Sequence, residues 1–269
     1  MKPFYKATLF LVLVFLLEIV FRNGLLIHFM PFQLPYNANI LIGFTGFTIC
    51  CWFITKRFCK WDNMSLKDLG ISFLSNNRKD FFYGFVIGVI LWGIVSLAQS
   101  YFAGFSWVLR PNVSLVNIFY GLLFIFIADL GTELFYRGYP LTRYKDSFGY
   151  LWAIIIMFLF VSLKSYSPGL SGELLFYALL IPGLHTIFFS IIYFKTKRLG
   201  AAVGLHTGAN FITISIFDLR VTNPNQAIPS GIFDSNVAVD TLSLTAVQMP
   251  WVVMASLLSI VVYFWWQKE

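Results

Sequence analysis

Two pairs of polar side chains, each spaced four residues apart in largely apolar surroundings, are the groups in this chain that could do chemistry. Glu133 and Arg137 form the first pair, and His206 and Asn210 form the second. Residues four apart share one face of an α-helix, so each pair presents its two groups side by side. A carboxylate with its counter-ion can transfer protons, and an imidazole beside a carboxamide can donate hydrogen bonds to an oxyanion.

Two neighbours extend the first pair. Asp129 precedes Glu133 by four residues, so the helical stripe holds two carboxylates and a guanidinium, and Thr132 lies directly beside Glu133. Ionisable groups at membrane depth are costly and mark functional sites. An ion pair that only anchors a helix end is the alternative interpretation.

The second pair lies on a helix rich in small residues. Gly200, Gly204 and Gly208 repeat every four residues around His206 and Asn210. Small residues at this spacing let two helix backbones approach closely. This helix is therefore predicted to pack tightly, and the alternative to a catalytic role is that His206 and Asn210 only hydrogen-bond to neighbouring helices.

The composition predicts the elements that position these groups. The 269 residues are 58% hydrophobic and 12% charged, whereas about 25% charged residues is usual for a soluble domain. A membrane helix needs about 20 mostly apolar residues. We therefore predict an all-α, polytopic membrane bundle that forms a single integral-membrane domain over 1–269, with about eight spans: 7–27, 38–55, 81–103, 113–136, 149–166, 173–194, 199–217 and 246–266.

The basic residues predict the orientation. With both termini in the cytoplasm, 15 of the 19 Lys and Arg residues fall in inner segments, Arg137 among them, and only Arg22, Arg110, Lys164 and Arg220 do not. This agrees with the positive-inside rule. We expect an integral protein of the cell membrane whose net charge of +7 reflects these loops and not nucleic-acid binding.

Other classes of function have less support. Cys50, Cys51 and Cys59 form no disulfide pattern, and the three histidines are too scattered for a metal cluster, so we predict no metal and no cofactor. A transporter or channel would explain ionisable residues within spans. However, the sequence shows no repeated halves, which many transporters have.

Taken together, residues 60–215 resemble the CPBP family of intramembrane proteases, which includes the type II CAAX prenyl endopeptidases. That family has three ordered motifs: Glu-Glu-x-x-x-Arg, Phe-x-x-x-His, and His-x-x-x-Asn. Here they read Thr132-Glu133-Leu-Phe-Tyr-Arg137, Phe160-Val-Ser-Leu-Lys164 and His206-Thr-Gly-Ala-Asn210. The resemblance implies that His206 and Asn210 stabilise an oxyanion and that Glu133 and Arg137 support the site.

The departures from the family pattern affect the water-activating pair, which is replaced by Thr132 and Lys164. Loss of a general base costs about 10²–10⁴-fold in rate. Glu133 or Asp129 could take its place, or Thr132 and Lys164 could form a hydroxyl–lysine dyad.

Two functions therefore stay open. The first is a divergent endopeptidase acting on peptides or membrane-anchored proteins from the cytoplasmic side. The second is a non-catalytic member that acts in bacteriocin immunity or partner binding.

Overall fold

The computed structural model describes residues 2–21, 36–71, 75–111, 113–219 and 231–267 of the chain. The described residues form eight α-helices: α1 (Pro3–Phe21), α2 (Tyr36–Trp61), α3 (Ser75–Ala103), α4 (Leu115–Glu133), α5 (Tyr139–Lys164), α6 (Gly172–Thr196), α7 (Leu199–Asn210) and α8 (Leu244–Trp266). Two strands, β1 (Trp107–Leu109) and β2 (Phe233–Ser235), pair antiparallel. Two π-helical segments, Leu134–Gly138 and Phe211–Ile216, continue α4 and α7.

The predicted helical membrane bundle is confirmed. Seven helical segments in the described ranges are long and apolar enough to cross a membrane, and one of them, Leu115–Lys164, contains both the fourth and the fifth predicted span. The last six residues of the first predicted span, 22–27, lie outside the described residues. The short strand pair was not predicted, because three-residue strands carry too little periodicity to read.

The boundary predicted for the fourth span was wrong. The helix does not end at residue 136 but runs on to Gly149, where positive φ (82°) breaks it and the chain turns back. That backbone region is close to glycine-only. Arg137, predicted to lie in an inner segment, is instead inside the helical segment and 3% exposed. Glu133 precedes Arg143 by ten residues, so the two lie about 15 Å apart along the helix axis.

The two ends of the bundle differ in their chemistry. At one end, here called the Asp62 end, the Asp62 carboxylate accepts hydrogen bonds from Lys6 and from Tyr139, and it is paired with Arg143. The other end, the sheet end, carries β1 and β2. From Leu115, beside β1, to Arg143 the chain rises about 42 Å, which is more than the hydrocarbon thickness of about 30 Å.

Glycines bring α3 and α7 into backbone contact, as predicted. A Cβ atom added to Gly204 would collide with the Phe81 carbonyl, and one added to Gly208 would collide with the Phe85 carbonyl. On the opposite helix, a Cβ atom added to Gly88 of α3 would collide with the Leu205 carbonyl of α7. This close approach places α7 firmly in the bundle, with His206 and Asn210 directed away from α3 towards α4.

Candidate active site

Glu133 is the centre of the candidate site. Its Oε1 accepts a hydrogen bond from Arg137 Nη1 at 2.8 Å and lies 2.8 Å from His206 Nδ1. The side chains of Glu133 and Arg137 are 0% and 3% exposed, and that of His206 is 22% exposed. Glu133 Oε2 is buried and has no hydrogen-bond partner among the described residues. One carboxylate oxygen therefore holds both the imidazole and the guanidinium.

Asp129 links the two polar pairs a second time. Its Oδ1 accepts a hydrogen bond from Asn210 Nδ2 at 2.8 Å and lies 3.6 Å from His206 Nε2. Asp129 is 4% exposed. The imidazole therefore lies between two carboxylates, Glu133 at Nδ1 and Asp129 near Nε2, and the carboxamide of Asn210 is directed at the second.

Phe189 of α6 covers this cluster. The centroid of its ring lies 5.1 Å from the centroid of the His206 ring. The same centroid lies 4.8 Å from the Arg137 guanidinium carbon. A cation over an aromatic face is attracted by the ring quadrupole. This contact could not be predicted from the sequence, because Phe189 is one of 31 phenylalanines in the chain.

The two residues that replace the family's water-activating pair are engaged elsewhere. Thr132 Oγ1 donates to the Ala128 carbonyl of its own helix at 2.9 Å. Lys164 Nζ donates to Glu18 at 2.7 Å and to the Tyr136 hydroxyl at 2.6 Å. No hydrogen bond joins Thr132 to Lys164 in the described part of the chain, so this geometry gives no support to a hydroxyl–lysine dyad.

The turn at Gly149 explains why Lys164 reaches this level of the bundle. Tyr136 lies 12 residues, or about 18 Å, before Phe148, and Lys164 lies 14 residues, or about 21 Å, after Tyr150. The two helical arms run antiparallel, so Lys164 comes opposite Tyr136 and not at the outer face. Glu18 of α1 supplies the counter-charge.

π-Helical backbone begins directly after Glu133 and directly after Asn210. Leu134–Gly138 begins after Glu133 and includes Arg137, and Phe211–Ile216 begins after Asn210. Single π turns inside α-helices are rare and occur frequently at functional sites. The local widening is a further sign that these two helices are shaped around the cluster.

A cavity of about 380 Å³ reaches the site from the sheet end, with Asn210 as one of its lining residues. Within the described ranges, no three His, Cys, Asp or Glu side chains are grouped so that they could hold a metal ion. The polar groups that the site presents are two carboxylates, an imidazole, a guanidinium and a carboxamide.

The comparison with known families agrees with this arrangement. Residues 114–212 match the model of the family described as type II CAAX prenyl endopeptidase Rce1-like. The matched segment includes Glu133, Arg137, Lys164, His206 and Asn210. No curated protein matches the chain. The match confirms the predicted resemblance: residues 114–212 are similar to the CAAX-type proteases of the CPBP family, and the chain has the apolar helices of a membrane protein.

Proposed function

We propose that the protein is a divergent intramembrane endopeptidase that hydrolyses peptides or membrane-anchored proteins. The observation that carries this proposal is the 2.8 Å contact between Glu133 Oε1 and His206 Nδ1. A carboxylate on Nδ1 holds the proton there and leaves the Nε2 lone pair available as a general base. Imidazole exchanges protons near neutral pH, which threonine does not.

In this mechanism His206 takes the role that the family pattern gives to a glutamate. His206 Nε2 removes a proton from water, and the hydroxide attacks the carbonyl carbon of the scissile peptide. The imidazolium, held between Glu133 and Asp129, then returns the proton to the leaving amine. Arg137 donates a hydrogen bond to Glu133 and orients its carboxylate. The Asn210 amide is the group available to donate to the oxyanion once the substrate displaces its bond to Asp129.

Variants of the purified protein test this assignment. A peptide library would be incubated with the protein in detergent, and new termini identified by mass spectrometry. We expect His206→Gln to lower cleavage by about 10²–10⁴-fold and Glu133→Gln to lower it markedly. Thr132→Val is the matched control and should keep cleavage, because the Thr132 hydroxyl bonds only to its own helix.

Either of two results would reject the assignment of catalysis to Glu133 and His206. One is cleavage that persists in both the Glu133 and His206 variants, since the activity would then come from a contaminant or another site. The other is loss of cleavage in Thr132→Val with His206→Gln still active, which would assign the chemistry to Thr132.

A second candidate function is non-catalytic peptide or partner binding, for example in bacteriocin immunity. The observation in its favour is that Asn210 already donates to Asp129, so a negative charge occupies the place where an oxyanion would bind. Cells that express His206→Gln and remain protected against a bacteriocin, as cells with the wild type are, would favour this function over hydrolysis.

We also propose that both termini face the cytoplasm. Along the described chain, the Asp62 end gathers most of the basic residues, including Lys6, Lys60, Arg143, Lys145 and Arg198, whereas the sheet end has Arg110. Basic residues accumulate on the cytoplasmic side of membrane proteins. Reporter fusions at each terminus test the orientation, and a periplasmic or extracellular reporter signal at either terminus would refute it.

A further inference from the structure

The cavity at the sheet end extends from the candidate site to the outer part of the bundle. Asn210 and Thr213 of the α7 segment form one wall, and Gln99 of α3, Gln248 and Trp251 of α8 form others. Its volume of about 380 Å³ is within the range of about 300–1,000 Å³ that is usual for ligand sites. Asn210 belongs both to this cavity and to the hydrogen bond with Asp129.

The polar groups of the cavity have hydrogen-bonding capacity to spare. Gln99 Nε2 donates to the Val247 carbonyl at 2.9 Å, which orients the amide, and no described residue bonds to its Oε1. Gln248 has no hydrogen bond to any described residue and is only partly exposed. Carboxamides both donate and accept, and burying them without partners is costly. An apolar acyl chain would leave these groups unsatisfied, whereas a peptide backbone offers both N–H and C=O groups.

The described residues that line the cavity are uncharged. They include no Asp, Glu, Lys or Arg. The cation of the nearby strand region, Arg110, is 3.1 Å from Asp234 and 3.9 Å from the buried Asp218, so its charge is already balanced. A free terminal carboxylate or a lipid phosphate would be desolvated here without a counter-ion, which is strongly unfavourable.

We propose that this cavity binds an uncharged internal stretch of a peptide and that it disfavours a free C-terminal carboxylate. The peptide enters from the sheet end, which is the outer face in the proposed orientation and not the cytoplasmic side expected from the sequence. The inference deepens the proposed function, since it names the part of the ligand that lies beside Asn210. Gln99 and Gln248 bond to the peptide backbone, and the apolar walls contact its side chains. The next peptide bond along the chain then lies at His206.

A photolabelling experiment tests binding without relying on cleavage. The probe is a short N-acetylated alanine–leucine peptide with one benzophenone side chain, made with either a C-terminal carboxamide or a C-terminal carboxylate. It is applied to the full chain carrying His206→Gln, so that no hydrolysis consumes it. We expect the carboxamide form to label cavity-lining residues with at least about tenfold higher apparent affinity than the carboxylate form, because only the latter desolvates a charge.

Two neighbouring residues of α8 provide a matched pair of variants. Gln248 lines the cavity, so Gln248→Trp fills it and should abolish labelling there. Met249 lines the outer groove between α3 and α8, so Met249→Trp should leave labelling of the cavity unchanged. Equal labelling by both probes, labelling insensitive to Gln248→Trp, or labels at the Asp62 end would overturn the inference. Cavity labelling with no cleavage by the wild type would reject the endopeptidase proposal alone. Cleavage without cavity labelling would reject only this inference.

Discussion

Replacing Glu133 with glutamine would leave Arg137 as a buried charge with no compensating carboxylate. The two side chains are 0% and 3% exposed and their atoms lie 2.8 Å apart. Removing one partner of a buried ion pair costs about 3–5 kcal/mol, because the other charge stays desolvated. At about 2–4 °C per kcal/mol for a chain of this size, the melting temperature should fall by roughly 6–20 °C.

The cysteines of the chain provide the assay. Cys51 and Cys59 are 0% and 1% exposed and form no disulfide, so a thiol-reactive fluorophore reports unfolding in detergent as they become accessible. Cys50 is only partly buried, and replacing it with alanine lowers the initial signal. The melting curves of the wild type and of Glu133→Gln are then compared in this background.

A double variant separates the buried charge from other effects of the substitution. Glu133→Gln with Arg137→Gln removes both charges, and contacting residues in such cycles show coupling of about 0.5–3 kcal/mol. We expect the double variant to be more stable than Glu133→Gln alone. A fall of less than about 4 °C in the single variant, with no recovery in the double one, would show that the pair behaves like an exposed salt bridge and would refute this reasoning.

Three further outcomes follow from the same contacts. Lys164→Met should destabilise the protein by about 3–5 kcal/mol in the same melting assay, and adding Glu18→Gln should restore part of the loss; an unchanged melting temperature would show that Glu18 does not depend on Lys164. Gly204→Ala should lower the free energy of unfolding by at least about 1 kcal/mol, because the added methyl group forces α3 and α7 apart. Gly93→Ala should lower it clearly less, because its added Cβ would meet its nearest atom at 3.8 Å. Equal losses in the two variants would contradict the close-contact argument. Burial raises the pKa of Asp62, but hydrogen bonds from Lys6 and Tyr139 and the charge of Arg143 outweigh this and hold that pKa below its usual value. The ionised Asp62 carboxylate therefore stabilises the fold fully above the unfolded-state pKa of about 3.9, and this contribution is lost as the pH falls through the lower folded-state pKa. The wild type should lose more stability than Asp62→Asn on acidification below about pH 4. Parallel profiles of stability against pH for the two proteins would refute this.

The sequence predicted the parts of the fold and site that depend on local spacing. Apolar runs predicted the spans, the Gly200–Gly204–Gly208 stripe predicted close helix packing, and the four-residue spacing predicted that Glu133 meets Arg137. The four-residue spacing also predicted that His206 and Asn210 share a helix face. Each of these follows from the period of a single helix, which the sequence contains directly.

The parts that were missed depend on how distant segments meet. Glu18 and Lys164 are 146 residues apart, and nothing in the sequence around either residue indicates that they form a pair. The extension of α4 through Arg137 to the turn at Gly149 was missed because Arg137, Arg143 and Lys145 together look like a polar loop. Buried ion pairing lets a charged residue stay inside a bundle, and the hydropathy of a single segment does not show that pairing.

In the proposed mechanism, the charges of the site favour proton transfer to His206 although the chain lacks the family's glutamate. One cation, Arg137, stands against two carboxylates, Asp129 and Glu133, so the cluster carries one formal negative charge while the imidazole is neutral. A glutamate at position 132 would have added a second. When His206 accepts a proton the cluster becomes neutral, with carboxylate oxygens 2.8 Å and 3.6 Å from the two ring nitrogens. Electrostatic stabilisation is greatest where charge develops during the reaction. In the proposed mechanism this charge develops on His206. The replacement of the neighbouring glutamate by Thr132 then removes one base and leaves the cluster with the single negative charge that protonation of His206 neutralises.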